Sequence, residues 1–219
     1  MDVSSPGRRE ENKQRTRSAL EQAAARLFEQ RGFEATTVRD IAAAAGVGER
    51  TFFRYFPSKE DLVLQQVRDL LPGVMLRVRE RPAAEGLLTA LCEAIVDWFG
   101  ETGAAPSILV SGPPKSGHEE AAEAHALMND LEHAITDAFL DRLEAAGADR
   151  RARSTVLRAA VQARAGVSAL RGMIIVYPAG SGLGDECGPG QLTRAEPVRT
   201  LSIEEISDLV REAFAALQP

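Results

Sequence analysis

The chain has 219 residues, of which 44% are hydrophobic and 26% charged, values inside the range of packed soluble domains and outside that of disordered, collagenous or membrane-spanning chains. Its formal net charge of −6 is unevenly spread: residues 1–60 hold 11 Lys and Arg against 9 Asp and Glu, net +2, whereas residues 61–219 hold 15 against 23, net −8. Cys92 and Cys187 lack CxxC or Cys/His spacing, which argues against a disulfide framework or a zinc site, and the stretch MDVSSPGRREENKQRTR and the run GMIIVYP are neither a signal region nor a membrane span, so a cytoplasmic location is expected.

Helical periodicity recurs from end to end and no strand-like alternation appears, so an all-α fold is expected. Residues 1–12 read as a disordered arm. Leu20, Ala23, Ala24, Leu27 and Phe28 then share one face of a first helix over 13–31, stopped by Gly32. Val38, Ile41, Ala42 and Ala45 make a short second helix capped by Thr36 or Thr37, and a turn at Gly46 leads to a third over 48–55. Ser58, with Asp61 three residues on, caps a fourth helix, which Pro72-Gly73 should kink or interrupt and Arg81-Pro82 should end. Further helices are expected near 84–100, 118–146 and 149–177, with an irregular stretch over 101–117. Five Gly and two Pro within residues 178–190 read as a loop continuing to about 200. Ser202 and Glu205 form a capping box that opens the last helix, 202–217. The organisation is then an arm (1–12), a three-helix head (13–58) and a helical body (59–219).

The head's second and third helices, joined by a tight turn containing Gly, have the spacing of a helix-turn-helix, whose second helix enters the DNA major groove. The full string from Thr37 to Lys59, TVRDIAAAAGVGERTFFRYFPSK, resembles the DNA-binding head of the TetR family of bacterial repressors. The match runs from about Arg17 to Leu64: an amphipathic helix, Thr-x-x-x-Ile-Ala, Gly-Val, an aromatic-rich recognition helix and Phe-x-x-Lys.

Physical chemistry suits these residues to that task. Thr37 opens a helix whose free N–H groups favour phosphate, and Arg39 on the polar face could pair with guanine O6 and N7. Gly48, Glu49, Arg50, Thr51, Arg54 and Tyr55 occupy exposed positions of the third helix. The resemblance implies that Gly48 to Thr51 meet base edges, that Tyr55 reaches phosphate and that Lys59 holds the flanking backbone. Members usually carry Tyr where this chain has Phe53, so no hydrogen bond is expected there. Arg8, Arg9, Lys13, Arg15 and Arg17 could form a basic arm on the duplex.

In the body, Leu91, Ile95, Trp98, Phe99, His125, Met128 and Leu131 are the candidate lining of a ligand pocket, since the apolar members supply more large apolar surface than thin helices need and His125 offers a polar handle. A homodimer is expected on the last two long helices, through Val156, Ala163, Val167, Leu170, Ile206, Val210 and Phe214, with Gly166 allowing close approach. His118, His125 and His133 lack convergent spacing, so no metal and no cofactor is expected. The expected function is a ligand-responsive transcriptional regulator, a repressor that binds a palindromic operator in double-stranded DNA as a dimer and is released by a small apolar or amphipathic effector. The alternative is an all-α adaptor or enzyme without DNA binding. An enzyme would need a nucleophile with its base, paired carboxylates or a metal cluster, and no His-x-x-x-His, Glu-x-x-His or Gly-rich phosphate loop is found in the sequence.

Overall fold

The computed structural model describes residues 6–33, 35–103, 105–106, 118–176 and 201–217. The expected loop over 178–200 and most of the irregular stretch over 101–117 lie outside them. Eight helices and no strand occur among the described residues: α1 (Pro6–Arg31), α2 (Val38–Ala44), α3 (Glu49–Phe52), α4 (Lys59–Glu80), α5 (Leu87–Thr102), α6 (His118–Ala145), α7 (Arg153–Val176) and α8 (Ile203–Ala215).

α1 begins seven residues before the expected start at 13, so residues 6–12 are helical where an unstructured arm was expected. Pro6 stands at the first helical position, where its missing N–H costs nothing. Helical spacing also brings Lys13 to Glu10 and lets Arg15 donate to the Asn12 side chain at 2.8 Å.

Of the two candidate caps for α2, Thr37 is the one used. Its Oγ1 accepts from the Asp40 N–H at 3.2 Å, and the Asp40 carboxylate accepts from the Thr37 N–H at 3.0 Å. Thr36 is buried instead, with its hydroxyl donating to the Gly32 carbonyl at 2.8 Å. Past α2, Gly46 takes the left-handed φ of 71°. This lets the N–H groups of Gly46 and Val47 donate to the Ala43 and Ala42 carbonyls at 3.0 and 2.9 Å and close the helix end. The chain reverses there, and Ile41, Ala42, Phe52 and Phe56 close the head's core against Leu20, Ala23, Ala24 and Phe28 of α1.

α4 is capped by Ser58, whose Oγ accepts from the Asp61 N–H at 3.0 Å. Of the two expected effects of Pro72-Gly73, a kink or an interruption, the interruption does not occur: the helix runs through Pro72. Burial of Val74, Met75 and Val78 on the far side of the proline continues the apolar face begun by Leu62, Val63 and Leu64. Tertiary packing thus offsets the hydrogen bond that proline cannot make to Arg68. The helix stops where expected, with Arg81 in the extended conformation that Pro82 imposes.

In the body α6 packs on α7 and α4, while α5 packs on α8, α4 and α7, and α8 also lies against α7. Ser202 and Glu205 form the expected capping box at α8. Ala163, Val167, Ile206, Val210 and Phe214, expected at a dimer interface, are all buried inside the protomer. Gly166 explains part of this, because a β-carbon there would sit 2.7 Å from Leu91 Cδ2: its close approach is to α5 of the same chain. Of the expected interface only Val156 is exposed, with Leu157 and Val161 beside it.

Arg142 of α6 is buried at 6% exposure and ties α6 to the end of α4. Its guanidinium donates to the carbonyls of Val78, Arg81, Pro82 and Glu85 at 2.6–3.1 Å. A cation at a helix C-terminus meets both the unpaired carbonyls and the negative dipole end. Arg142→Met is expected to lower the unfolding free energy by about 2–3 kcal/mol, because the carbonyls stay buried without their charged donor. Urea denaturation should show a lower midpoint at unchanged slope.

Candidate nucleic-acid interface and internal cavity

The helix-turn-helix of α2 and α3 sorts its residues by chemistry. Ile41, Ala42 and Phe52 face the head's core, while Arg39, Gly48, Glu49, Arg50 and Arg54 are exposed, and Thr37 is exposed at the start of α2. Thr51 is half-buried. α3 itself is one turn long, shorter than the expected 48–55, and the chain continues through turns closed by Arg54 N–H to Thr51 O at 3.3 Å and Tyr55 N–H to Phe52 O at 2.8 Å. Phe53 is 52% exposed, a large apolar surface presented to water beside the polar residues. The Arg54 guanidinium lies 5.1 Å from the centre of the Tyr55 ring and donates to its hydroxyl at 3.4 Å.

Ion pairing divides the head's arginines. Arg17 is held by Glu21 at 2.9 Å and Asp69 of α4 at 3.0 Å, and lies over the Phe56 ring, so it joins the head to the body instead of extending a basic arm. Arg31 pairs with Asp40 at 2.8 Å. Hydrogen bonds from Thr37, and then Arg31, hold the Asp40 carboxyl below the usual carboxylate range. Among the described residues Arg39, Arg50 and Arg54 have no carboxylate partner. Positive charge is thus left unneutralised at the start of α2 and along α3, where a polyanion could be met. The Arg8 side chain lies outside the described residues.

Lys59 departs from its expected role at the flanking backbone. From the first turn of α4 its ammonium reaches back to donate to the Phe33 and Thr36 carbonyls at 3.0 and 3.2 Å, 4.2 Å from the centre of the Phe33 ring. It is a strut between α4 and the α1–α2 connection. Neither pattern nor spacing points to it, because its partners are backbone atoms 26 and 23 residues away.

An apolar cavity of about 90 Å³ lies between α4, α5, α6 and α7. Leu91, Ile95, Phe99, Met128 and Leu131 of the candidate ligand pocket line it, together with Leu127, Ile135 and Pro106. The sequence reading placed the site within 84–177 and missed a whole wall: Val67, Leu70, Leu71, Val74 and Met75 of α4. The run of apolar residues on both sides of Pro72 was the available signal. Val167 and Leu170, expected at the dimer interface, also line the cavity. Trp98 and His125 do not. The Trp98 indole packs on Gly73, where a β-carbon would sit 2.0 Å from the ring, and under the Arg77 guanidinium at 4.8 Å. His125 is exposed on α6.

Residues 21–65 match the family model described as bacterial regulatory proteins, tetR family. The chain is 40% identical over 89 residues to the transcriptional regulator TcmR of Streptomyces glaucescens, covering 41% of this chain and 39% of that protein. It is 32% identical over 148 residues to the transcriptional repressor KstR2 of Rhodococcus jostii, covering 64% of this chain and 69% of that protein. Among solved structures, Thermus thermophilus FadR, a TetR-family repressor determined with lauroyl-CoA, superposes with a TM-score of 0.55 at 22% identity over 92% of each chain. A Syntrophomonas wolfei regulator superposes with a TM-score of 0.53 at 18% identity, over 94% of this chain and 95% of that one. These relatives are regulators of transcription, and the all-helical fold with its helix-turn-helix head is theirs: the chain belongs to the tetR family of bacterial regulatory proteins.

Proposed function

We propose that the protein is a ligand-responsive repressor that binds a palindromic operator as a homodimer and leaves it when a small apolar or amphipathic effector enters the cavity. The observation that carries this reading is the unneutralised set of Arg39, Arg50 and Arg54 around the α2–α3 turn. In this reading Arg39 pairs with a guanine edge, and the first turn of α3 from Gly48 to Thr51 lies against bases, with Gly48 offering no side chain to obstruct approach. Arg54 and Tyr55 meet the phosphate backbone. Lys59 fixes the α1–α2 connection that carries Thr37, and its contribution to binding is indirect.

Two heads must be held at the separation of successive major grooves, about 34–36 Å. The exposed Val156, Leu157 and Val161 of α7 supply the apolar surface for pairing two copies. The cavity fits an effector by its chemistry, fifteen apolar residues and one arginine. It is small beside the roughly 300–1,000 Å³ of typical ligand sites, so a ligand must part the helices to enter. The α4 wall is the one that continues to the head. Among the structural neighbours, Thermus thermophilus FadR was determined in complex with lauroyl-CoA, an amphipathic molecule.

Binding to DNA that flanks the gene should fall with salt along a log–log line, and Arg54→Ala should flatten the slope by about one. Lys59→Met should leave the slope unchanged while lowering head stability by about 1–3 kcal/mol. Arg39→Ala should cost about 1–3 kcal/mol on the specific site and little on random DNA. Fluorescence anisotropy at several salt concentrations measures all three effects, and an equal loss on both DNAs for Arg39→Ala would remove its base-reading role.

The dimer and the effector have their own checks. Leu157→Glu should convert a dimer into a monomer in sedimentation velocity at micromolar concentration. A true inducer should bind the free protein more tightly than the operator complex, by the factor by which it weakens DNA binding. Calorimetric titration with and without operator reads that factor.

A further inference from the structure

The cavity's one charged lining residue carries chemical information that its apolar walls do not. Arg171 of α7 follows directly on Leu170, which lines the cavity, and lies one turn past Val167, which does so too, yet it is exposed to solvent. An arginine placed like this runs its aliphatic stem along apolar surface and carries its guanidinium at the opening. Two other arginines of the surrounding helices are paired with carboxylates. Arg164, two turns earlier on α7, binds Glu132 of α6 at 2.8 Å, and Arg68 of α4 faces Asp130 of α6 at 4.0 Å. Among the described residues no carboxylate pairs with Arg171.

An unpaired guanidinium at the rim of an otherwise apolar cavity complements a molecule with the opposite arrangement, an apolar body ending in one negative group. We infer that the effector is an anionic amphiphile whose aliphatic part lies between α4, α5 and α6 and whose charged group is held by Arg171. The inference rests on the reading of the cavity as the effector site. It narrows that reading in two respects. A neutral apolar molecule gains the walls but not the charged hydrogen bonds, and a cationic amphiphile meets like charge at the opening. The planar fork of arginine can give two parallel hydrogen bonds to a carboxylate or phosphate oxygen pair, which the ammonium of lysine cannot.

The test compares decanoate, decan-1-ol and decylamine by calorimetry on the full-length protein at neutral pH, where the first is an anion and the last a cation. Decanoate should bind about tenfold or more tightly than decanol, as charge-assisted hydrogen bonds predict, and decylamine more weakly than decanol. Arg171→Met should bring decanoate down to the affinity of decanol and leave decanol unchanged, which also shows that the variant keeps its cavity. Arg171→Lys should restore part of the difference. If decanoate and decanol bind the wild type equally, or Arg171→Met weakens both alike, the anionic class is wrong while the cavity stands. If none of the three binds the wild type, the cavity is not the effector site and the inference falls with it.

Discussion

A single helix is shared by every working part of this molecule, and its position cannot change at one part without consequence at the others. α4 has 22 residues and so a length of about 33 Å. Its first residue, Lys59, is bonded to the connection that carries α2. Its middle, from Val67 to Met75, is one wall of the apolar cavity. Its far end is held by Arg142 of α6, which donates to the Val78 carbonyl in the last turn and to those of Arg81, Pro82 and Glu85 just beyond it. A rod fixed at its far end and displaced along its middle must move at its near end, and the near end is bonded to the head. Arg17 adds a second tie through its ion pair with Asp69, also on α4. The cavity and the exposed arginines of the helix-turn-helix are therefore mechanically adjacent, although among the described residues no side chain belongs to both.

Charge is divided with the same economy. Arginines with structural duties have carboxylates or carbonyls as partners: Arg17, Arg31, Arg79, Arg81 and Arg142. Those on the helix-turn-helix face and at the cavity rim have none among the described residues. An arginine whose charge is met within the protein has little left for a ligand, whereas an unmet one at the surface keeps its full field for an incoming anion. The acidic total of the chain thus conceals a local excess of positive charge. The sequence split of +2 over residues 1–60 detects it weakly, because it counts Arg17 and Arg31, which are spent internally, alongside Arg39, Arg50 and Arg54.

The head was legible in the sequence because its determinants are local. Thr37 with Asp40, Gly46 and Ser58 with Asp61 each act within about four residues, and the apolar stripe of α1 leaves one way to bury Phe28 against Ile41 and Phe52. The body was legible in its helices but not in their faces. An apolar stripe says that a helix buries one side, without saying against what, so Ala163, Val167, Ile206, Val210 and Phe214 read equally well as a protomer core or as an interface. Trp98 had the right chemistry for a pocket and the wrong direction, since the gap left by Gly73 on α4 draws the indole away. Lys59 and Arg142 bond to backbone carbonyls far along the chain, and such partners leave no signature in residue type or spacing.

The claim on which the account turns is that the space between α4 and its neighbours decides whether the heads can hold DNA. The most direct measurement is the operator affinity of Ile95→Trp, which fills the cavity from α5 without touching the head. If α4 transmits occupancy of the cavity, this variant should remain folded, with the far-ultraviolet dichroism of the wild type. It should bind operator DNA about fivefold or more weakly with no ligand present, in line with ordinary allosteric coupling of about 1–3 kcal/mol. A folded Ile95→Trp protein with wild-type affinity for the operator would contradict the account, because the cavity would then be filled and the heads indifferent to it.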